Sequence, residues 1–264
     1  MSKFIAAMDH SGGSTGGVLE RYGQEYTEEN KMDLVHEMRL RMIDSPLFNS
    51  SNIWAAIVYK DSAERNIVPV LNANGIEAYL KIDSGCAEDG TLNNFDLLAM
   101  ITHAKTHGCT GTKMRSIVKD ANSINAVLSQ QFKIAQEIAY AGLMPIIEPE
   151  VPIDHLEKRN IESMLVTFLH HYLDVFKGKC ILKLTLPEVP NMYHELTQHP
   201  KIHKVVGLSG GYSINEASNR LSLNDNMSAS FSRALTQGLF YNQSNAEFNI
   251  RISQNIEQIA SASS

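Results

Sequence analysis

The sequence has little cysteine, no excess of positive charge and no long apolar run, and each shortage removes a class of protein. Its only cysteines are Cys86, Cys109 and Cys180. They form no CxxC pair and no even-numbered framework, which points to a reducing, cytoplasmic setting. The formal net charge of -6 argues against a general binder of nucleic acid or of anionic membranes, so any anionic ligand must be held by a local cluster of cations. No apolar stretch approaches the ~20 residues of a membrane span. The first residues, Met-Ser-Lys-Phe-Ile-Ala-Ala-Met-Asp, turn acidic too soon for a signal peptide. Repeats, low-complexity blocks and linkers are also missing. With 43% hydrophobic residues, a 264-residue chain can bury a sizeable core, and a single domain over 1–264 is expected. The tail at 261–264 is expected to fray.

What the chain does contain is an alternation. Short apolar runs at 4–8, 52–59, 78–82, 110–114, 143–147, 180–186, 204–208 and 227–231 read as strands of the kind buried on both faces. Between them, apolar residues recur at helical spacing. They include Leu34, Val35, Met38 and Met42, then the stretches 95–104, 124–141 (stopped by Gly142), 161–176, 192–197, 214–223 and 246–260. The segment after the first strand, Ser11-Gly12-Gly13-Ser14, reads as a flexible polar loop. Eight strands alternating with helices at this length predict an α/β protein, a (β/α)8 TIM barrel. The competitor is an open doubly wound sheet, but Ser11-Gly12-Gly13 is not its GxGxxG fingerprint.

In such barrels the chemistry gathers at the C-terminal ends of the strands. Those ends carry Asp9, Lys81, Lys113 with Arg115, Glu148 with Glu150, Lys183, Ser209 and Arg233. The second strand, ending in Tyr59 and Lys60, offers no evident group. Lys183 stands out because it interrupts an Ile-Leu strand. Burial disfavours an ammonium, and a neutral amine can condense with a ketone to a Schiff base. The plainer alternative is a lysine that reaches the barrel mouth or pairs with a carboxylate. Glu148 and Glu150 flank Pro149, so in a strand their side chains face the same way. They suit either proton transfer or neutralisation by Lys113 and Lys183.

Two Ser-Gly-Gly loops, at Ser11 and Ser209, each bring backbone N–H groups within reach of an anion. With Arg233 and Lys81 they suggest a ligand phosphorylated at both ends, although each alone suits a tight turn. His103 and His107 have helical i, i+4 spacing but no third ligand, so no metal is expected. The rings of His170 and His171 cannot share one helix face. Cys109 and Cys180 fall near strand starts and read as structural.

Taken together these stretches resemble the class I (Schiff-base) fructose-bisphosphate aldolases, in their short bacterial form. The matching pieces are Phe4-Ile-Ala-Ala-Met-Asp9 with Ser11-Gly-Gly-Ser14, Leu80-Lys-Ile-Asp83, Gly111-Thr-Lys-Met-Arg115, Pro145-Ile-Ile-Glu-Pro-Glu150, Leu182-Lys-Leu-Thr185, Leu208-Ser-Gly-Gly211 and Phe231-Ser-Arg-Ala-Leu235. The resemblance implies cleavage of a small-molecule sugar phosphate without metal or other cofactor, and it leaves room for a homo-oligomer. Lys183 would form the iminium and Glu148 would shuttle protons. Lys113 and Glu150 would set the charge around the amine, and Asp9 would orient the C4 hydroxyl. Ser209, Gly210, Gly211 and Arg233 would hold the C1 phosphate, with Lys81, Ser11, Ser14 and Arg115 at the C6 end.

Some positions depart from the family pattern. His10 stands where glutamine or glutamate is usual, Ser84 where a second lysine follows, and Ser232 where animal relatives have glycine. The chain starts almost at the first strand, without most of the usual leader. The last tyrosine is Tyr241, so the animal C-terminal tyrosine is missing. These changes bear on rate and C6-phosphate affinity rather than on the type of reaction. Two other readings stay open, a Schiff-base aldolase or transaldolase for another sugar phosphate, and a catalytically silent barrel kept for binding.

Overall fold

In the computed structural model residues 3–11 and 13–264 are described, with the side chains of residues 13 and 14 outside the described set. In chain order the elements are β1 (Phe4–Ala7), α1 (Gly13–Tyr22), α2 (Lys31–Ile43), β2 (Ile53–Val58), α3 (Lys60–Glu64), α4 (Ile67–Ala73), β3 (Glu77–Lys81), α5 (Leu97–Thr106) and β4 (Gly111–Ile117). They continue with α6 (Ser123–Tyr140), β5 (Met144–Glu150), α7 (Lys158–Val175), β6 (Cys180–Thr185), α8 (His194–Thr197), β7 (Ile202–Leu208), α9 (Ile214–Ser222), β8 (Met227–Ala229) and α10 (Asn245–Ala262). The strands form one parallel sheet in the order β1 to β8. It curls until its edges meet. The Ala7 amide donates to the Phe231 carbonyl (3.2 Å) and the Ser228 hydroxyl to the Lys3 carbonyl (2.6 Å). This is a (β/α)8 barrel, as the alternation predicts.

The period of two along each strand explains why the mouth is charged. Inward positions hold Ile5 and Ala7, Ala55 and Ile57, Tyr79, Ile146, Ile181 and Val206, which pack together as a small apolar plug inside the barrel. The next inward position, two residues on, is Asp9 after Ala7, Lys81 after Tyr79, Glu148 after Ile146 and Lys183 after Ile181. The register sets Lys113 beside Lys81 and Arg115 beside Glu148. Outward positions such as Leu182 and Leu184 are fully buried beneath the helices. Each large apolar side chain buried there contributes about 1.5–3 kcal/mol.

Two expectations need correction, and two helices were missed. Gly13 and Ser14 open helix α1 and so do not extend a loop, and the short helices α3 and α4 escaped the spacing analysis. The residues 261–264 are also tied down. The Ser264 amide donates to the Met227 carbonyl (2.8 Å) and Lys204 to the Ser264 carbonyl (2.7 Å). Ser263 is buried, and its hydroxyl donates to the Ile259 carbonyl (2.9 Å). Backbone and side-chain hydrogen bonds outweigh the chain-end entropy.

Candidate active site

Asp9, Lys113, Glu148 and Lys183 come from four different strand ends and meet over the apolar plug. Lys113 Nζ lies 3.0 Å from Asp9 Oδ2 and 2.8 Å from Glu148 Oε2, and Lys183 Nζ lies 3.3 Å from Glu148 Oε1. Glu148 and both lysines are under 5% exposed. Burial opposes the Lys113 ammonium, but Asp9 and Glu148 outweigh it and carry its pKa above that of an ordinary lysine. Burial also pushes the Asp9 carboxyl up, and Lys113 and then Lys183 outweigh it, so Asp9 stays ionised well below the usual carboxylate range. The arrangement is a chain of alternating charge ending at Lys183. Lys113 holds two carboxylates, whereas Lys183 shares one of them at the longer distance.

Lys81 is bound differently. Its ammonium donates to Ser11 Oγ (3.0 Å), pairs with Asp83 (3.2 Å) and sits 5.6 Å from the centre of the Tyr59 ring. Asp83 also accepts from the Arg115 and Gly85 amides, both at 3.2 Å. It thereby ties the loop after β3 to β4, and β2 does supply a group, Tyr59.

The expected pairing of Glu150 needs correction. Its partner is the Arg115 guanidinium, and among the described residues the ion pairs of Lys113 and Lys183 with the Glu-Pro-Glu stretch fall on Glu148 alone. The reason is register, because Glu150 lies a full inward step beyond Glu148, where Arg115 reaches it. Arg115 lines the main cavity of about 600 Å³ and also an adjoining lobe of about 440 Å³, which Gly210, Gly211 and Arg233 line as well.

Ser209 and Gly210 follow β7, and Arg233 lies beyond β8. Gly210 (φ 59°) and Gly211 (φ 124°) adopt left-handed backbone, and a Cβ on Gly210 would fall 2.4 Å from Ile153 Cγ2. Only glycine lets this turn close beneath the loop that follows β5. The Arg233 guanidinium stands against Gly211, 3.3 Å from where its Cβ would lie. Helix α9 starts just after this turn, with the Ser213 side chain accepting from the Glu216 amide. The Ser14 side chain lies outside the described residues. Cys109 and Cys180 are buried, and burial raises both thiols to about 12. Among the described residues no three His, Cys, Asp or Glu side chains are grouped to hold a metal ion, and no helix is long and apolar enough to cross a membrane.

Comparison with known proteins gives a 44% identical relative, the fructose-bisphosphate aldolase class 1 of Synechocystis sp., with 98% of this chain and 93% of the relative aligned. The protein of the same name from Clostridium acetobutylicum is 42% identical, over 98% and 95%. The chain belongs to the class I fructose-bisphosphate aldolases. The family likeness inferred from sequence therefore holds across nearly the whole length. No family model matches the chain. The fold is shared with the fructose-bisphosphate aldolase of Plasmodium falciparum, at a TM-score of 0.75 and 20% identity over 99% of this chain and 90% of that one. It is also shared with an archaeal fructose-1,6-bisphosphate aldolase whose catalytic lysine was trapped as a carbinolamine, at a TM-score of 0.56 and 10% identity over 97% and 94%.

In this class I chain, sequence reasoning missed two cations near the cavity. Arg21, in the last turn of α1, lines it directly. Arg39 of α2 is 2% exposed and donates to the His10 carbonyl (2.7 Å) and to Ser62 Oγ (2.6 Å). The signal for Arg39 was present, because Val35, Met38 and Met42 place it on the buried face of its helix.

Proposed function

We propose that this protein cleaves fructose 1,6-bisphosphate reversibly into dihydroxyacetone phosphate and glyceraldehyde 3-phosphate, through a Schiff base on Lys183. The observation that carries the reading is the buried contact of Lys183, Glu148 and Lys113 at the mouth, with Asp9 closing the set. The Lys183 amine attacks the C2 ketone. Glu148, 3.3 Å from that nitrogen, gives the proton that lets the carbinolamine lose water. The iminium is an electron sink, so the C3–C4 bonding pair moves into an enamine as Glu148, a carboxylate once it has given its proton, takes the C4 hydroxyl proton and the aldehyde leaves. Asp9 orients that hydroxyl, and Lys113 holds Asp9 ionised and keeps Glu148 in place by its ion pair. Glu150 acts at one remove, by fixing Arg115. Protonation of the enamine at C3 and hydrolysis release dihydroxyacetone phosphate and restore the amine.

The catalytic unit is one domain over 1–264, working in the cytoplasm as an enzyme of glycolysis and gluconeogenesis. Ser209, Gly210, Gly211 and Arg233 hold the C1 phosphate. Lys81, Ser11, Ser14 and Arg115 hold the other end. Arg233→Ala should lower kcat/KM for the bisphosphate roughly 30- to 1000-fold, through loss of paired charge-assisted hydrogen bonds. An unchanged thermal midpoint beside that loss would locate the effect in binding, and unchanged kinetics would remove Arg233 from the site.

The iminium does the polarising that a Lewis acid does in other aldolases, so cleavage should persist after dialysis against EDTA. A coupled assay before and after chelation checks this. Activity lost with EDTA and restored by zinc would overturn the amine mechanism. Assaying the singly phosphorylated ketoses beside the bisphosphate separates this reading from an aldolase for another sugar phosphate.

A further inference from the structure

Two side chains from the opposite edges of the sheet come together at the mouth. His10 follows Asp9 beyond β1, Ser232 precedes Arg233 beyond β8, and the His10 Nε2 atom is hydrogen-bonded to the Ser232 hydroxyl across the seam where the barrel closes. Both side chains line the main cavity. The backbone at His10 is pinned, because its carbonyl accepts from the buried Arg39, itself anchored on Ser62.

Burial and then the Arg39 charge lower the His10 pKa to about 4, against the opposing pull of Asp9, with Arg21 and Lys113 adding to the lowering. The imidazole is therefore neutral near neutral pH, with one N–H and one lone pair. Two arrangements of the pair follow. If the serine hydroxyl donates to Nε2, its proton is used up and only oxygen lone pairs face the cavity, which repels an anion. If Nε2–H donates to the serine oxygen, the hydroxyl proton is left to point into the cavity. An anion beside Arg233 selects the second arrangement.

We propose that His10 and Ser232 act as one unit in which the imidazole donates to the serine hydroxyl and turns its proton toward the phosphate held by Arg233. His10 is then a positioning residue and Ser232 a further phosphate ligand. The proposal rests on the aldolase reading only for which phosphate is bound.

The test is binding of hexitol 1,6-bisphosphate, a reduced substrate with no ketone, measured by calorimetry near neutral pH. Ser232→Ala and His10→Leu should each weaken binding about tenfold, the value of one hydrogen bond to a charged group. The double variant should also lose only about tenfold, because removing either member disables the same donor. His10→Gln, whose side-chain amide supplies an N–H in place of the imidazole's, should recover binding to within about threefold. Thermal midpoints near that of the parent should accompany these losses. Full-strength binding by Ser232→Ala, a hundredfold loss in the double variant, or no rescue by glutamine overturns the unit. Parent protein that binds the hexitol bisphosphate yet gives no borohydride adduct with dihydroxyacetone phosphate overturns the aldolase reading instead.

Discussion

Lys183→Met should cost roughly 10⁴-fold or more in cleavage, as loss of a covalent nucleophile does. It should also abolish the substrate-derived mass that borohydride adds in the presence of dihydroxyacetone phosphate. Lys81, Lys113 and Lys183 all end at the barrel mouth, so position alone does not choose the amine, and the partners of each do. Lys113 bridges Asp9 and Glu148, and freeing it would break two close ion pairs. Lys81 is tied to Asp83, Ser11 and the Tyr59 ring. Among the described residues Lys183 has its ion pair with Glu148 alone, and that carboxylate already serves Lys113 at 2.8 Å against 3.3 Å for Lys183. It is the amine with the least ion pairing to lose. It also stands two residues beyond Ile181, directly over the apolar plug at the floor of the mouth. Peptide mapping should find the label on the peptide containing Lys183. Lys81→Met should keep the label at saturating substrate, since in the proposed reading Lys81 only holds the phosphate at the far end of the ligand. A label on Lys81 or Lys113 would sink the assignment while leaving an amine mechanism intact.

The features legible in the sequence are those set by short periods. Apolar runs alternating with amphipathic helices announced the barrel, and charged residues just past those runs announced the mouth, because the inward face of a strand is read by counting in twos. Helix α1 escaped notice because Gly-Ser-Thr-Gly-Gly gives its first turns no apolar period. In α4, Pro69 sits near the start of a run of only seven residues, where proline is tolerated in a first turn but reads as a break. The partner of Glu150 was illegible for a different reason. Two lysines and an arginine were equally near in the list of strand ends, and only the register of β4 against β5 decides which reaches which. The contact between His10 and Ser232 spans 222 positions of sequence, and no local pattern records it. The cation that holds Asp9 and Glu148 together belongs to the legible set, and its removal has a consequence for stability as well as for rate.

Lys113→Met should destabilise the fold by about 3–5 kcal/mol near neutral pH, the usual cost of stripping one partner from a buried ion pair. The affected carboxylates are buried or nearly so, with side chains 11% exposed at Asp9 and 4% at Glu148, so water cannot replace the lost charge. The pH dependence follows from the two shifts. The Asp9 carboxyl titrates below the 3.8 of an ordinary aspartate in the folded chain, so its contribution is present above that value and is lost as pH falls through the folded one. The Lys113 ammonium titrates above the 10.5 of an ordinary lysine, so its contribution is complete below that value and fades only in stronger alkali. Between about pH 5 and 9 the parent therefore has the whole of both contributions. The variant lacks the cation, and acid relieves it by protonating the stranded carboxylates. The stability gap should be widest near neutrality and should narrow below about pH 4, where the parent is losing what the variant never had. Urea unfolding of both proteins near neutral pH and in acid measures the gap. A gap that stays constant across that range would mean that Lys113 does not stabilise the fold through Asp9 and Glu148. Cleavage should fall with it, because without Lys113 the Glu148 carboxyl that faces Lys183 loses the partner that fixes its position.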